Sequence, residues 1–186
     1  MTAPRIVAGR FRGRRIIVPE HGGVRPTASR MREALFSRLA PVIDGARFLD
    51  LFAGSGAIGI EALSRGASAA LFVERDRVSV AAIRRNLEAL GVTAQARVLQ
   101  GDATTMLPKD CQPFDIVFAD PPYRSGLGEA ALMGVHRRHL FHEETIFIVE
   151  LAADESFEAP PPLALTDVRR YGAGRLVTLS AQADEI

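Results

Sequence analysis

The stretch FLDLFAGSGAIGIEAL at residues 48–63 decides the fold. An apolar run ends in a glycine turn, Gly54-Ser55-Gly56-Ala57-Ile58-Gly59, and a helix-like stretch follows it. Strand, G-x-G-x-x-G and helix in that order place a turn against a ligand. Glycine lets the backbone bend sharply and puts no Cβ between it and the bound molecule. Glu74 ends the next apolar run, 20 residues beyond Gly54, where an acid accepts hydrogen bonds from ribose 2′- and 3′-hydroxyls. An adenosine-containing cofactor is the expected occupant.

Asp50 narrows the choice of cofactor. It lies four residues ahead of Gly54, on the strand end expected to face the crevice. A carboxylate there repels a pyrophosphate and attracts the α-ammonium of S-adenosylmethionine, which favours the sulfonium cofactor over a dinucleotide. The other reading of Asp50 is a strand-end acid that binds loop amides. Asp102, in Gly101-Asp102-Ala103 after the third apolar run, is placed either to read an adenine edge or to cap the following turn.

A second stretch, FDIVFADPPY at 114–123, supplies the acceptor side. Its last four residues follow a strand, at the carboxyl edge where open α/β sheets bind ligands. The exocyclic amine of a nucleobase shares its lone pair with the ring and is a poor nucleophile. Acceptors on both of its N–H groups tilt it toward tetrahedral geometry. The Asp120 carboxylate and the Pro121 carbonyl are candidates for those acceptors, Pro121 and Pro122 stiffen the turn, and Tyr123 offers a face for stacking. With a reference pKa of about 3.9, Asp120 suits positioning better than proton abstraction. Methyl transfer to a base amine is the implied chemistry.

Around these motifs the pattern alternates. The runs ARFLDLF, SAALFVE, ARVLQ, FDIVFAD and TIFIVEL predict buried strands, with helices near 57–65, 77–90 and 127–140. That order implies a mostly parallel α/β sheet covered on both faces. LALTDVRRYGAGRLVTLSA predicts a closing antiparallel hairpin turned at Gly172 and Gly174, after the connector APPPL. Upstream, RIVAGRFRGRRIIVP predicts a small hairpin with Gly9 or Gly13 in its turn, HGGVRP a loop, and TASRMREALFSRLA a helix with Met31, Leu35 and Leu39 on one face. The expected organisation is a basic N-terminal hairpin extension over 1–24 and a catalytic domain over 25–186.

Composition sets the remaining bounds. Hydrophobic residues make up 47% and charged residues 24%, ordinary for a globular chain of 186 residues. No run approaches the ~20 apolar residues of a membrane span. The beginning MTAPRIVAGR lacks a signal-peptide core, and the lone Cys111 fits a reducing compartment, so a cytoplasmic protein is expected. A monomer is the expected state. Net charge is only +1, yet residues 1–38 carry nine arginines against Glu20 and Glu33. Such an arm reads as an anion-binding surface, with nucleic acid the usual partner, or as a solvated charged terminus. The spacing of His136, His139 and His142 spreads the rings around a helix, so no metal site is expected there.

RIVAGRFRGRRI, VRPTASRMREALFSRL, LDLFAGSGAIGIEALSRGA, FVERD and ADPPY, in that order and spacing, resemble the RsmD family of class I S-adenosylmethionine-dependent methyltransferases. The resemblance implies a Rossmann-like, seven-stranded sheet with a reversed terminal hairpin and an RNA-contacting N-terminal hairpin. It implies methylation of the N2 amine of one guanine, conventionally position 966, in the 16S ribosomal RNA of a partly or fully assembled small subunit. By motif match, Asp50, Phe52, Gly54, Gly56, Glu74 and Asp102, with Arg75 and Ala103 beside them, would hold the cofactor. Arg25, Thr27 and Arg30 would lie over its methionine end. Asp120, Pro121, Pro122 and Tyr123 would hold the base. Arg10, Arg12, Arg14, Arg15 and Arg25 are the candidate RNA contacts.

The D-P-P-Y chemistry alone also fits a DNA adenine-N6 or cytosine-N4 methyltransferase. A non-catalytic RNA-binding module on the same scaffold, and a dehydrogenase, are the further alternatives. Asp50 and the lack of a hydride-transfer partner weigh against the dehydrogenase.

Overall fold

The computed structural model describes residues 4–19 and 26–182, without the side chains of residues 26–29. Most of the HGGVRP loop, Arg25 included, lies outside the described residues. The elements run α1 (Pro26–Leu39), β1 (Arg47–Leu51), α2 (Ala57–Ser64), β2 (Ala69–Glu74), α3 (Arg77–Leu90), β3 (Ala96–Gln100), β4 (Phe114–Ala119), α4 (Leu127–Arg137), β5 (Phe141–Ala152), β6 (Leu163–Tyr171) and β7 (Gly174–Ala181). A single 3₁₀ turn, Thr93–Gln95, leads into β3.

All seven strands join one sheet in the order β3-β2-β1-β4-β5-β7-β6. The first five are parallel to one another, and β7 pairs antiparallel with both β5 and β6. Strand residues alternate between two faces. Phe48, Phe72, Phe118 and Ile148 pack on one side with α1, α2 and α3. Leu49, Val73, Val117 and Val149 pack on the other with α4. The fold is the mostly parallel sheet with a terminal antiparallel hairpin that the alternation predicts.

Three details differ from the expectations. β3 is an edge strand and only half-buried, because no strand covers its outer side. The fourth helix stops at Arg137, where Arg138 leaves helical geometry and His139 takes φ 52°. β5 then begins at Phe141, earlier than TIFIVEL, with a register shift against β4 between Phe114 and Ile116. The three histidines therefore do not share a helix. His136 is in α4, His139 in the turn, and His142 in β5, where its Nε2 lies 2.9 Å from Asp115 Oδ1.

The helix ends follow from local chemistry. Asp76 caps α3 by accepting from Ser79 N at 2.7 Å, worth about 1 kcal/mol. Gly91 in the left-handed region closes it. α2 opens instead at Gly56, φ 76°, with no side-chain cap, so the glycine bend itself starts the helix. One turn into α2, Gly59 lies so close to β2 that a Cβ there would sit 2.3 Å from the Phe72 ring. That contact sets how tightly α2 sits on the sheet.

The N-terminal segment doubles back through one antiparallel bridge, Arg5 to Arg15, with both Gly9 and Gly13 at positive φ. It is fastened to α2. The fully buried Glu61 accepts from Val7 N and Ala8 N at 2.8 and 3.0 Å and from Arg65 Nε at 2.8 Å. Ser64 Oγ accepts from Phe11 N at 3.0 Å. A Cβ on Gly9 would meet the Ser64 carbonyl at 1.9 Å, so this approach requires glycine. Ile6 and Ile16 are buried in the same core as α1 and α2.

Candidate cofactor and base site

Sheet order explains where the site lies. β1 and β4 are neighbours, but the chain leaves β1 for β2 on one side and leaves β4 for β5 on the other. The loops after β1 and β4 therefore diverge, and a crevice opens between them. A cavity of about 850 Å³ fills that crevice, within the usual range of about 300–1,000 Å³ for ligand sites. Gly54 lines it from the glycine turn and Asp120, Pro121, Pro122 and Tyr123 line it from the other loop. The two motifs border one space.

The glycine turn is held under tension and tied down. Phe52 takes φ 60°, a left-handed conformation that costs a non-glycine residue about 1–3 kcal/mol. Ala53 N donates to Val73 O at 3.0 Å, and Gly54 N donates to Glu74 Oε2 at 2.7 Å. The other Glu74 oxygen accepts from Asp76 N at 2.8 Å. Glu74 thus braces both loops, and an ionised carboxylate with about four acceptor positions can still receive a hydroxyl.

Asp50 does not face the crevice as expected. It is buried, 1% exposed, beneath the turn, and its Oδ2 accepts from Gly59 N at 2.9 Å. The geometry matches the other reading, a strand-end acid that binds a loop amide. Burial pushes its pKa up to about 7; the Gly59 amide opposes the rise and nearby Glu74 adds to it.

Asp102 lines the cavity, and its Oδ1 accepts from Thr104 N at 2.8 Å and Thr104 Oγ1 at 2.6 Å. These two bonds, the larger from the hydroxyl, hold its pKa below the usual carboxylate value. It caps the turn while standing at the cavity wall. Arg75 and Ala103 line the same wall.

The D-P-P-Y loop is anchored at both ends. Asp120 N donates to Leu51 O at 3.3 Å, extending the β1–β4 ladder by one residue. Beyond it, Arg124 at φ 57° donates from its N to Glu155 Oε1 at 2.6 Å. Ser125 Oγ donates to Pro122 O at 2.5 Å. Pro121 is buried, whereas Asp120, Pro122 and Tyr123 are exposed on the cavity side.

Other assigned residues divide. Thr27 is on α1 with its side chain outside the described residues, and Arg30 is exposed. Among the arm arginines, Arg10 donates to Gln95 Oε1 at 2.5 Å and lies over the Phe11 ring, and Arg14 donates to Ala89 O at 2.8 Å. Arg12 and Arg15 are exposed.

Two cavity residues escaped the sequence reading. Arg32 on α1 is 8% exposed, donates to Arg5 O at 2.9 Å, and has its pKa lowered chiefly by burial. Helix periodicity could have placed it beside Leu35 on the inner face. Glu150 near the carboxyl end of β5 lines the cavity and accepts from the Tyr123 hydroxyl at 3.2 Å. The available signal was a lone acid in the apolar run TIFIVEL, at the same strand edge as Glu74. Among the described residues no cluster of His, Cys, Asp or Glu is arranged to hold a metal. No helix among them is long and apolar enough to cross a membrane.

Known proteins share this architecture. The solved structure of yhhF from Escherichia coli superposes with a TM-score of 0.87 at 37% identity, covering 97% of this chain and 99% of that one. TrmN from Thermus thermophilus superposes at 0.69 with 27% identity, over 87% of this chain and 50% of that one. The fold is that of a Rossmann-like class I methyltransferase. In sequence, the Ribosomal RNA small subunit methyltransferase D of Escherichia coli K12 is 41% identical over 84% of this chain and 79% of its own. The protein of the same name from Haemophilus influenzae is 36% identical over 90% of this chain and 89% of its own. The family described as Conserved hypothetical protein 95 matches residues 4–180. The chain belongs to this family, the RsmD methyltransferases.

The buried Asp50 makes a pH test. Its folded pKa of about 7 lies above the ordinary carboxylate value, so the folded chain keeps this proton to higher pH than the unfolded chain does. Its contribution to stability is complete below about pH 4 and is lost as pH rises through 7. Asp50→Asn should flatten the fall in unfolding free energy between pH 4 and 7, measured by denaturant titration. A wild-type slope retained in the variant would contradict the assignment.

Proposed function

We propose that this protein transfers a methyl group from S-adenosylmethionine to the exocyclic N2 amine of a guanine in 16S ribosomal RNA. The observation that carries the reading is the shared cavity, which joins a glycine turn to a proline-stiffened carboxylate. The cavity residues suit the cofactor: Gly54, at positive φ, leaves the turn open at the cavity wall, while Gly56, buried against Ile83, makes the bend behind it. Glu74 offers acceptors for a ribose, and Asp102 with Ala103 forms the wall for an adenine. Bound S-adenosylmethionine supplies an electrophilic methyl group on a sulfonium.

The chain's own part is positioning. The Asp120 carboxylate and the Pro121 carbonyl accept the two N–H groups of the amine, which turns its lone pair toward the methyl carbon. The fixed loop makes that alignment in advance, so little ordering is left for the reacting state. Tyr123 stacks on the base, worth about 1–3 kcal/mol. The N–C bond forms as the C–S bond breaks, and the cationic nitrogen so made is acidic enough to give its proton to water. A base in a helix cannot reach this loop, so the target guanine lies in an RNA loop or is flipped out.

On this reading residues 1–24 form an RNA-contacting extension and 25–186 the methyltransferase domain. Exposed Arg12 and Arg15 contact phosphates. The relatives named for small-subunit ribosomal RNA support that substrate. The reading adds a partly or fully assembled subunit as its carrier and a cytoplasmic monomer as the enzyme.

Asp120→Ala should abolish methyl transfer to small ribosomal subunits, followed by nucleoside mass spectrometry of N2-methylguanosine. Its affinity for S-adenosylhomocysteine should stay within about threefold of wild type. Loss of cofactor affinity with activity would make Asp120 structural. Replacing Arg12 and Arg15 together by alanine should weaken RNA binding. It should also flatten log K against log salt by about 1.4–1.8, at about 0.7–0.9 per phosphate contact. An unchanged slope would remove the arm from the RNA interface.

A further inference from the structure

Glu150 is a second carboxylate at the base end of the cavity, and the mechanism above does not use it. β4 and β5 pair in parallel through Phe118 to Ile148 and Ala119 to Val149, so Asp120 and Glu150 come next in register. Phe118 and Ile148 both face the α1 side of the sheet. By alternation Asp120 and Glu150 face it too, at neighbouring strand ends about 4.8 Å apart. Both line the cavity. The Tyr123 hydroxyl donates to Glu150 Oε1 at 3.2 Å, which holds the carboxylate beside the stacking ring.

Base chemistry gives this arrangement a meaning. An ionised carboxylate is an acceptor only. Guanine carries two adjacent donors on its pairing edge, the N2 amine and N1–H. Adenine and cytosine carry an amine beside a bare ring nitrogen, which is an acceptor. A second carboxylate next to the amine-holding one completes a hydrogen bond with guanine and opposes a lone pair in the other two bases.

We infer that Glu150 is the residue that selects guanine, accepting the N1–H of the base whose N2 amine Asp120 holds. The inference rests on the reading of the site as a guanine-N2 methyltransferase and deepens it. Glu150 is a specificity determinant, distinct in role from the loop that aligns the amine. A site that hydrogen-bonds a donor rejects an analogue lacking it, in favourable cases by about 10⁴–10⁵.

The test uses RNA with 2-aminopurine at the target position, which keeps the amine, replaces N1–H with an acceptor and lacks O6, so the change of the ratio on substituting Glu150 isolates the N1 contact. Wild-type enzyme should prefer guanine over 2-aminopurine by about 100-fold or more in kcat/KM. The same preference should appear in binding measured with S-adenosylhomocysteine present. Glu150→Gln, whose amide can donate to the bare nitrogen, should bring the two RNAs within about tenfold. Tyr123→Phe keeps the stacking ring but removes the bond that holds Glu150, so it should narrow the preference in the same direction.

A wild-type enzyme indifferent to 2-aminopurine would overturn the inference. So would a ratio in Glu150→Gln equal to the wild-type ratio, the result expected if Glu150 serves only to hold Tyr123. Should Glu150→Gln fail to fold, the wild-type ratio and Glu150→Ala decide, the latter by losing the preference. Failure of the underlying reading looks different: mass spectrometry would then find the methyl group on adenine or cytosine, or no transfer to guanine N2.

Discussion

The pairing of β1 with β4 is the constraint on which the rest of this structure depends. Leu51 pairs with Ala119 at the carboxyl edge, and Asp120 N reaches back to Leu51 O at 3.3 Å. Two adjacent strand ends, about 4.8 Å apart, send their chains in opposite directions. One becomes the glycine bend and the other the proline-locked turn. Neither loop could reach the other's ligand if a strand were inserted between them. Juxtaposition of the two loops, and on the proposed reading of methyl donor and acceptor amine, is thus built into strand order, and side chains only refine it.

Refinement comes from carboxylates at strand ends, each held by different partners. Asp50 lies buried beneath the turn and binds the Gly59 amide, so it shapes the loop from below. Glu74 ties the turn to the start of α3 through Gly54 N and Asp76 N. Asp120 and Glu150 stand on the cavity side. Acids in the same sheet edge therefore do different work, and burial and available amides decide which. The arm adds a further link. Buried Glu61 and Ser64 hold Val7, Ala8 and Phe11 on α2, the helix that the glycine bend begins. The basic arm proposed to meet RNA is in this way mounted directly on the helix that follows the glycine turn.

Much of this was legible in the sequence because glycine and proline leave strong local marks. G-x-G-x-x-G and D-P-P-Y each fix a backbone path, so strand, turn and helix around them could be placed before any coordinates. The direction of Asp50 was not legible, since a strand-end acid points to solvent or into a loop according to packing above it. Gly59 pressed against Phe72 decides that packing, and no local pattern reveals it. Glu150 was hidden for another reason: one acid within TIFIVEL does not disturb an apolar strand pattern. Its meaning depends on the register between β4 and β5, a non-local property. The edge position of β3 and the early start of β5 at Phe141 are likewise set by neighbours.

The most direct test of the shared cavity is a crystal structure of this protein with S-adenosylhomocysteine. The account predicts the ribose at Glu74, the adenine beside Asp102 and Ala103, and the sulfur in the gap between the Gly54 turn and Asp120. A nucleoside bound elsewhere, or a sulfur turned away from the Asp120 loop, would contradict it.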